Sequence, residues 1–458
     1  MESLDTTILN TGVPTIAKAL EVAPLSMKSA LTSYTLSLAV FIPVSGWIAD
    51  RFGTRRVFFT AIGVFTLGSF LCGLTQNLPM LVASRIIQGC GGALMLPIGR
   101  IALVRTFPKS ELLRAMSFVA IPGLIGPLVG PLAGGLIVAY SHWRMIFFVN
   151  LPIGVLGFYF AFRHMPDFRA DRRDPLDVIG LVLFGSGIAL LSYVLEIFGE
   201  HSMDLKTEIF LVVISLVLLG AYGVHAANTR YPLLRLNLFR IRTFRVAVMG
   251  SFFTRLGIGG MPFLLPLLYQ IGLGYSPVES GLLIMPQPIA AMVLRLLMGR
   301  ILRQLGYRQV LFWNTVASGV VIALFATVGP HEFRGVTHPT SVGLIVLLAF
   351  CFGVVSSLQY SSMATLQFAD IGEEEASMAS SIASTVQQMS MSFGVAIASL
   401  VTLYFVGGER RPGDVHLIEG IHRSFAAMGV YTAIAAIGFL RLKANDGASV
   451  SLQGRAEH

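Results

Sequence analysis

Two side chains stand where an apolar helix tolerates them poorly. Arg85 lies well inside the apolar run Leu81–Val104, three residues before Gln88. Asp5 lies among Leu4, Thr6, Thr7 and Ile8 at the start of the chain. An ionisable group inside a membrane span is costly, so it faces protein or water and marks function. A carboxylate withdrawn from water can exchange a proton near neutral pH, which is what a proton-coupled carrier requires. Asp5 is therefore a candidate proton-coupling residue, and Arg85, with Gln88 beside it, a candidate functional position. The competing readings are a hydrogen-bond clamp between helices for Arg85 and a packing or capping role with Thr6 and Asn10 for Asp5.

A second constellation is the turn Gly46-Trp-Ile-Ala-Asp50-Arg51-Phe-Gly53-Thr-Arg55-Arg56, set between two apolar runs. Gly46 and Gly53 permit close helix approach and a tight turn. Arg51, Arg55 and Arg56 suit lipid headgroups as anchors. Asp50, at a helix end, can pair with a basic group or a helix N-terminus of another bundle in one conformer only. That would make the turn a conformational latch.

Further candidates carry less chemistry of their own. Gly126, Gly130, Gly134 and Gly135 form a small-residue face for close packing, and Pro127 and Pro131 kink that helix. Arg255, close to Gly257, Gly259 and Gly260, is a candidate for a cavity wall. Asn10, Gln359, Gln387 and Gln388 are candidate substrate contacts, because polar rows within spans face water, substrate or other helices rather than lipid. Met389, Met391 and Phe393 add the soft contacts of a promiscuous pocket. Arg100, Arg105 and Arg295 lie nearer span ends and read as snorkelling or anchoring residues.

The elements that must position these groups are membrane spans. The chain has 458 residues, 54% hydrophobic and only 12% charged, with mean hydropathy +0.74. A soluble chain carries about 25% charged residues, so the solvent here is largely lipid. The net charge of +9 reflects basic loops rather than nucleic-acid binding. Cys72, Cys90 and Cys351 lie far apart within apolar runs and offer neither a disulfide framework nor metal spacing. The N-terminus lacks the basic region and small-residue cleavage site of a signal peptide.

Runs long enough to cross a bilayer cover Ser29–Ala49, Val57–Leu74, Leu81–Val104, Ala115–Tyr140, Met145–Phe162, Val178–Phe198 and Ile209–Ala227. They continue with Val246–Leu273, Val278–Met298, Gln309–Val328, Ser341–Met363, Ser377–Val406 and Phe425–Leu440. With a partial span from Met1 to about Leu20 this predicts about fourteen crossings. The partial span is difficult, since no charge-free helix of about 20 residues can be drawn around Asp5. Either the start is internal to the gene or the first helix is a stub, and the first explanation is preferred. Arg and Lys crowd one set of loops by roughly twofold or more, which places both termini in the cytoplasm.

The turn also recurs. Gly299-Arg-Ile-Leu-Arg303-Gln-Leu-Gly306-Tyr-Arg308-Gln-Val310 repeats its Gly, Gly, Arg and Val positions, with Arg303 in place of Asp50. Parallel halves of this kind build carriers that rock about a central site. The expected organisation is an N-terminal bundle over 1–163, a linker with two extra spans over 164–245, a C-terminal bundle over 246–442 and a tail over 443–458.

These motifs together resemble the major facilitator superfamily, and within it the fourteen-span drug:proton antiporters of the EmrB/QacA type, including the HsrA-like branch. The resemblance covers nearly the whole chain. It rests on Leu4-Asp5-Thr6-Thr7-Ile8-Leu9-Asn10 with Pro14, on the Gly46–Arg56 turn, and on Arg85-Ile-Ile-Gln88-Gly89-Cys-Gly91-Gly92-Ala93. It also rests on Gly126-x-x-x-Gly130-Pro131-x-x-Gly134-Gly135 and on Trp143-Arg144-x-x-Phe147-x-x-Asn150-x-Pro152-x-Gly154. Each pattern is weak alone; five in order are specific. The resemblance implies an all-α polytopic membrane protein of the major facilitator fold, two six-helix bundles plus two inserted helices. It implies that Arg85 assists proton coupling, that Asp50 belongs to a conformation-dependent charge network, and that the glycine array accompanies export by antiport.

The expected function is proton-driven export of drugs or other amphipathic small molecules by alternating access, in the inner membrane. The alternative is an antiporter for one endogenous metabolite, peptide or lipid. No phosphate-binding GxxxxGK[ST] loop occurs and the nine histidines are scattered, so neither an ATP-driven pump nor an enzyme is expected. No cofactor or metal is expected, the proton gradient being the driving force. Expected partners are the bilayer, a small-molecule substrate and protons, with a periplasmic adaptor and outer-membrane channel as further partners and no nucleic acid.

Overall fold

The apolar runs fold into helices whose ends are set by local chemistry. A computed structural model describes residues 1–22, 27–169, 175–197, 204–329, 331–333, 336–338, 342–406 and 415–451. The first group of helices is α1 (Glu2–Ala19), α2 (Lys28–Phe41), α3 (Ser45–Phe52), α4 (Thr54–Leu74), α5 (Leu78–Thr106), α6 (Lys109–Tyr140), α7 (Met145–Phe148) and α8 (Asn150–His164). Two helices follow, α9 (Val178–Ile197) and α10 (Leu205–Asn228). The last group is α11 (Arg242–Ile258), α12 (Met261–Pro266), α13 (Pro277–Ile284), α14 (Pro286–Leu324), α15 (Val342–Leu366), α16 (Ala376–Val406), α17 (Val415–Ala435) and α18 (Ala448–Ser451). Asn77 starts α5 by accepting the Met80 N–H at 2.9 Å, and Ser276 and Glu279 close a reciprocal capping box on α13. Both devices satisfy amide groups that helix ends leave without intrahelical partners.

The two copies of the turn share one backbone feature. Gly53 ends α3 at φ 92°, and Gly306 breaks α14 at φ 73°. Positive φ is a glycine conformation, so both glycines are required by the same sharp reversal.

Ten helices among the described residues are long and apolar enough to cross a membrane, against the fourteen expected. One of them, Glu279–Thr327, contains the break at Gly306 and covers two expected spans. α9 qualifies only as a shorter apolar helix over Val178–Val194. The expected partial first span is an 18-residue helix that is not among these ten, and its Asp5 is paired and buried. One further departure, among described residues that are otherwise helices and their connections, is a short hairpin, with β1 (His331–Phe333) antiparallel to β2 (Val336–His338).

Within the first group, α1 packs on α6, α5 on both α2 and α4, and α4 on α8. Within the last, α14 packs on α15 and α17, and α11 on α16. α9 and α10 pair with each other, and α9 rests against α2 and α16. The apolar core is shared unevenly. One cluster draws Leu112, Phe184, Tyr222, Phe244, Leu302 and Ile382 from both groups and the inserted pair. At the opposite end two clusters stay apart, one around Ile8, Trp143 and Phe147, the other around Met261, Phe325 and Phe425. The two bundles are thus joined at the end bearing the Gly46–Arg56 turn, here termed the basic end.

Candidate functional site

Asp5, Arg85 and Gln88 come together in the interior of the first bundle. Arg85 Nη1 donates to Asp5 Oδ2 at 2.6 Å and to Gln88 Oε1 at 2.7 Å. Gln88 Nε2 donates to Asp5 Oδ1 at 2.8 Å. The same oxygen accepts from Asn150 Nδ2, also at 2.8 Å. Arg85 Nε reaches the Ala30 carbonyl at 3.3 Å, and its guanidinium lies 4.2 Å from the centre of the Tyr34 ring. All four polar side chains are at most 1% exposed. Removing one partner of such a buried pair strands the other charge, at a cost of about 3–5 kcal/mol.

Asp5 thus accepts hydrogen bonds from three side chains, Arg85 on one oxygen and Gln88 and Asn150 on the other. Asn150, at the start of α8, and Tyr34, on α2, complete the site and were not singled out as coupling residues from sequence. Asn150 was visible as a motif position; nothing in the sequence pointed to Tyr34.

The glycine array of α6 is the surface on which α1 rests. Gly126, Gly130 and Gly134 are buried. The Gly126 carbonyl accepts from Thr7 Oγ1 at 3.2 Å, and a Cβ on Gly130 would fall 2.0 Å from that hydroxyl. The array therefore sets the depth of the helix that carries Asp5. Pro131 and Gly135 lie on the same helix, but their surroundings, like the Asn10 side chain, fall outside the described residues.

At the basic end, the turn meets the other bundle through two of its residues. Asp50 Oδ1 accepts from Ser377 Oγ at 2.6 Å and from Arg105 Nη2 at 3.1 Å. Ser377 is the second residue of α16, so the carboxylate sits at a helix N-terminus, where the dipole favours an anion. Gly46 N–H donates to Ser381 Oγ at 2.7 Å, and a Cβ on Gly46 would meet the Ser377 carbonyl at 2.7 Å. Arg51, Arg55 and Arg56 remain exposed. Gly53 instead packs against Asp167, whose Oδ1 accepts the Arg55 N–H at 3.2 Å.

The three span-end arginines do more than snorkel. Arg105 also donates to Ser377 Oγ at 3.1 Å and to the Glu373 carbonyl at 3.3 Å. Arg100 crosses to Ser384 at 3.1 Å and to Gln387 at 2.7 Å. Arg295 donates to the Ser117 carbonyl at 3.1 Å. Spacing from a span end could not distinguish these inter-bundle bonds from anchoring, because the partners lie on distant helices.

Of the expected cavity residues, Arg255 and Gln387 line one small cleft with Ser251 and Gln367. Arg255 stacks 3.9 Å from the centre of the Tyr360 ring and donates from Nε to Ser251 Oγ at 2.9 Å. Gln359 is fully buried elsewhere, accepting from Asn314 Nδ2 at 2.8 Å, and ties α14 to α15. Gln388 is half-buried beside Gln387 and does not line the cleft. Glu2, half-buried one turn before Asp5, interacts electrostatically with Arg100 and was missed as a candidate.

A further tie holds the inserted pair. Asp177 accepts from the Gly180 N–H at 2.8 Å and pairs with His225 Nε2 at 2.8 Å. Its other oxygen accepts the Leu233 N–H at 3.0 Å. Desolvation pushes this carboxyl upward, but those hydrogen bonds outweigh it and hold Asp177 below the usual carboxylate range.

Comparison with known proteins adds an independent line. The sequence profile of the Major Facilitator Superfamily matches residues 1–395 and again 247–453. A protein of Serratia proteamaculans (strain 568) named "Putative multidrug resistance protein MdtD" is 38% identical over 447 residues, covering 97% of this chain and 91% of that protein. The protein of the same name from Escherichia coli O9:H4 (strain HS) is 37% identical, covering 99% and 95%. Among solved structures, the human organic anion transporter MFSD10 superposes with a TM-score of 0.65 at 13% identity, covering 93% of this chain and 88% of that one. The proton:xylose symporter XylE superposes at 0.64 with 15% identity, covering 97% and 94%. At such identities the two structures show the fold alone.

Proposed function

The chain belongs to the Major Facilitator Superfamily, a family of transporters rather than enzymes, and from that premise we propose a proton-driven multidrug exporter working by alternating access. The observation that carries the coupling is the buried Asp5 held by Arg85, Gln88 and Asn150. Drug efflux is supported by the relatives named for multidrug resistance.

In this reading the fourteen crossings form bundles over 1–163 and 246–442, with the inserted pair on the linker between them. The basic end faces the cytoplasm of the inner membrane, as do both termini. The conformer described is then closed to the cytoplasm, since Asp50, Gly46, Arg100 and Arg105 bind the second bundle there. A proton entering from outside discharges Asp5 and releases Arg85. α1 shifts on its glycine track, the latch opens, and cytoplasmic substrate gains access to the cleft at Arg255 and Gln387. Return of the proton to the cytoplasm restores the Asp5–Arg85 pair. The proton gradient supplies the energy and no cofactor takes part. Delivery beyond the outer membrane would use a periplasmic adaptor and channel, tested by co-purification from native membranes.

A second reading rests on one feature. Arg255 lines the cleft and Arg100 donates to Gln387 in its wall, and two cations so placed favour an anion. An antiporter for one endogenous acidic metabolite would use them as its clamp. The deciding experiment uses vesicles under an imposed pH gradient, with a broad panel of cationic drugs and acidic metabolites. Substrate-induced proton release with several drugs supports the exporter. Release with one acidic compound alone supports the second reading, and no release with any compound rejects antiport.

A further inference from the structure

The two copies of the turn are chemically unequal, and the difference leaves a basic cavity in the second. In the first copy, the helix bearing Gly46 and Asp50 docks on the N-terminus of α16, and Asp50 receives the Ser377 hydroxyl at 2.6 Å. In the second, the part of α14 bearing Gly299 and Arg303 faces the N-terminal part of α6, where Ser110 is the second residue. A Cβ on Gly46 would strike Ser377, whereas one on Gly299 would meet nothing within 4 Å. The second pair of helices therefore stands apart, around a cavity of about 430 Å³.

We propose that this cavity binds a phosphate-bearing anion, the headgroup of an anionic phospholipid in the adjoining leaflet. Arg114 from α6 and Arg295, Arg300 and Arg303 from α14 line it, with no carboxylate among the lining residues. Arg295 spends one nitrogen on the Ser117 carbonyl, and its buried Nε has no protein partner. Guanidinium groups are suited to phosphate by their planar fork, and the start of a 32-residue helix adds a favourable dipole. The anion thus supplies the negative charge that Asp50 supplies in the first copy.

The source follows from the rim. Phe118 is 74% exposed and Leu296 81% exposed beside the arginines. They offer acyl chains an apolar wall directly below the headgroup site. A basic pocket between spans with an apolar mouth is the chemistry of headgroup recognition. Because Arg114 belongs to the first bundle and the other three to the last, a bound headgroup joins the bundles at the basic end. It would favour the conformer in which the Asp50 latch is closed.

The test is native mass spectrometry of the full chain, purified and loaded with phosphatidylglycerol or phosphatidylcholine. Wild type should retain phosphatidylglycerol in preference to phosphatidylcholine. Arg300→Gln and Arg303→Gln should each weaken retention about fivefold, roughly the contribution of one basic residue near an anionic headgroup. Arg300→Lys, with charge kept, should retain most of the binding and serves where a glutamine variant does not fold. Equal retention of both lipids, or unchanged retention in the folded glutamine variants, overturns the site. Displacement of phosphatidylglycerol by millimolar inorganic phosphate would overturn the lipid assignment in favour of a soluble phosphate.

Discussion

Asp50 and Ser377, separated by 327 residues in sequence, meet at 2.6 Å across the seam between the two bundles. Arg105, on the first bundle, donates from one nitrogen to the same carboxylate and the same hydroxyl. In the proposed cycle the contact exists only while the bundles are closed at this end, so its strength would enter the balance between conformers and leave each bundle's own fold largely untouched.

Asp50→Asn keeps an acceptor for Ser377 and removes the charge facing Arg105 and the α16 N-terminus. The loss of charge-assisted bonding should cost the closed conformer about 1–2 kcal/mol, a shift of roughly fivefold to thirtyfold. Turnover should fall more than substrate affinity. Paired measurement of initial transport rate and equilibrium binding decides this, and equal losses in both would argue against a latch.

Asp5→Asn removes the acid that Arg85 pairs with while preserving the shape of the cluster. Substrate-driven proton release should vanish, whereas exchange of substrate across the membrane without a pH gradient should persist. Arg85 loses its counter-charge, so thermal stability should fall by about 3–5 kcal/mol. Full retention of pH-gradient-driven transport would remove Asp5 from the coupling site.

Gly130→Ala places a methyl group 2.0 Å from Thr7 Oγ1 and 2.7 Å from Thr7 Cβ. Rotating the hydroxyl relieves the first contact but not the second, so α1 must lift from α6. We expect a destabilisation of about 1–3 kcal/mol, read as a lowered Tm together with reduced coupling. Gly123→Ala, where a Cβ meets nothing within 4 Å, is the control and should leave both unchanged.

Asp177 gives a pH dependence whose sign can be worked out. Its carboxyl is held below the value of about 3.9 that it has in the unfolded chain. A depressed value contributes stability that is fully present above the unfolded pKa and is lost as pH falls through the folded one. Attachment of α9 and α10 should therefore be constant near neutrality and weaken below about pH 4. Hydrogen exchange in residues 178–194 and 206–228 measures this, and Asp177→Asn should raise exchange there and flatten its acid dependence.

Much of the fold was legible because lipid imposes a strict rule on sequence. Apolar runs must be helices, since no other segment satisfies its own backbone bonds in a bilayer. The repeat around Gly53 and Gly306 was equally legible, because only glycine is at ease with the positive φ that both positions adopt. The cost of Asp5 in the first helix was legible from its apolar neighbours, but not its relief, since Arg85 and two amides on distant helices accept it.

By itself, then, the sequence determined the membrane class, the duplicated turn and the Asp5–Arg85–Gln88 candidates, because each depends on hydropathy, local backbone geometry or a charge within an apolar run. The tertiary structure decided the rest. It gave Asn150 and Tyr34 to the Arg85 cluster, turned Arg100 and Arg105 from span-end anchors into ties to α16, and removed Gln359 from the cleft. It also gave the second turn a basic cavity where the first has a closed latch. These relationships join residues tens to hundreds of positions apart, and only helix packing brings such groups within bonding distance.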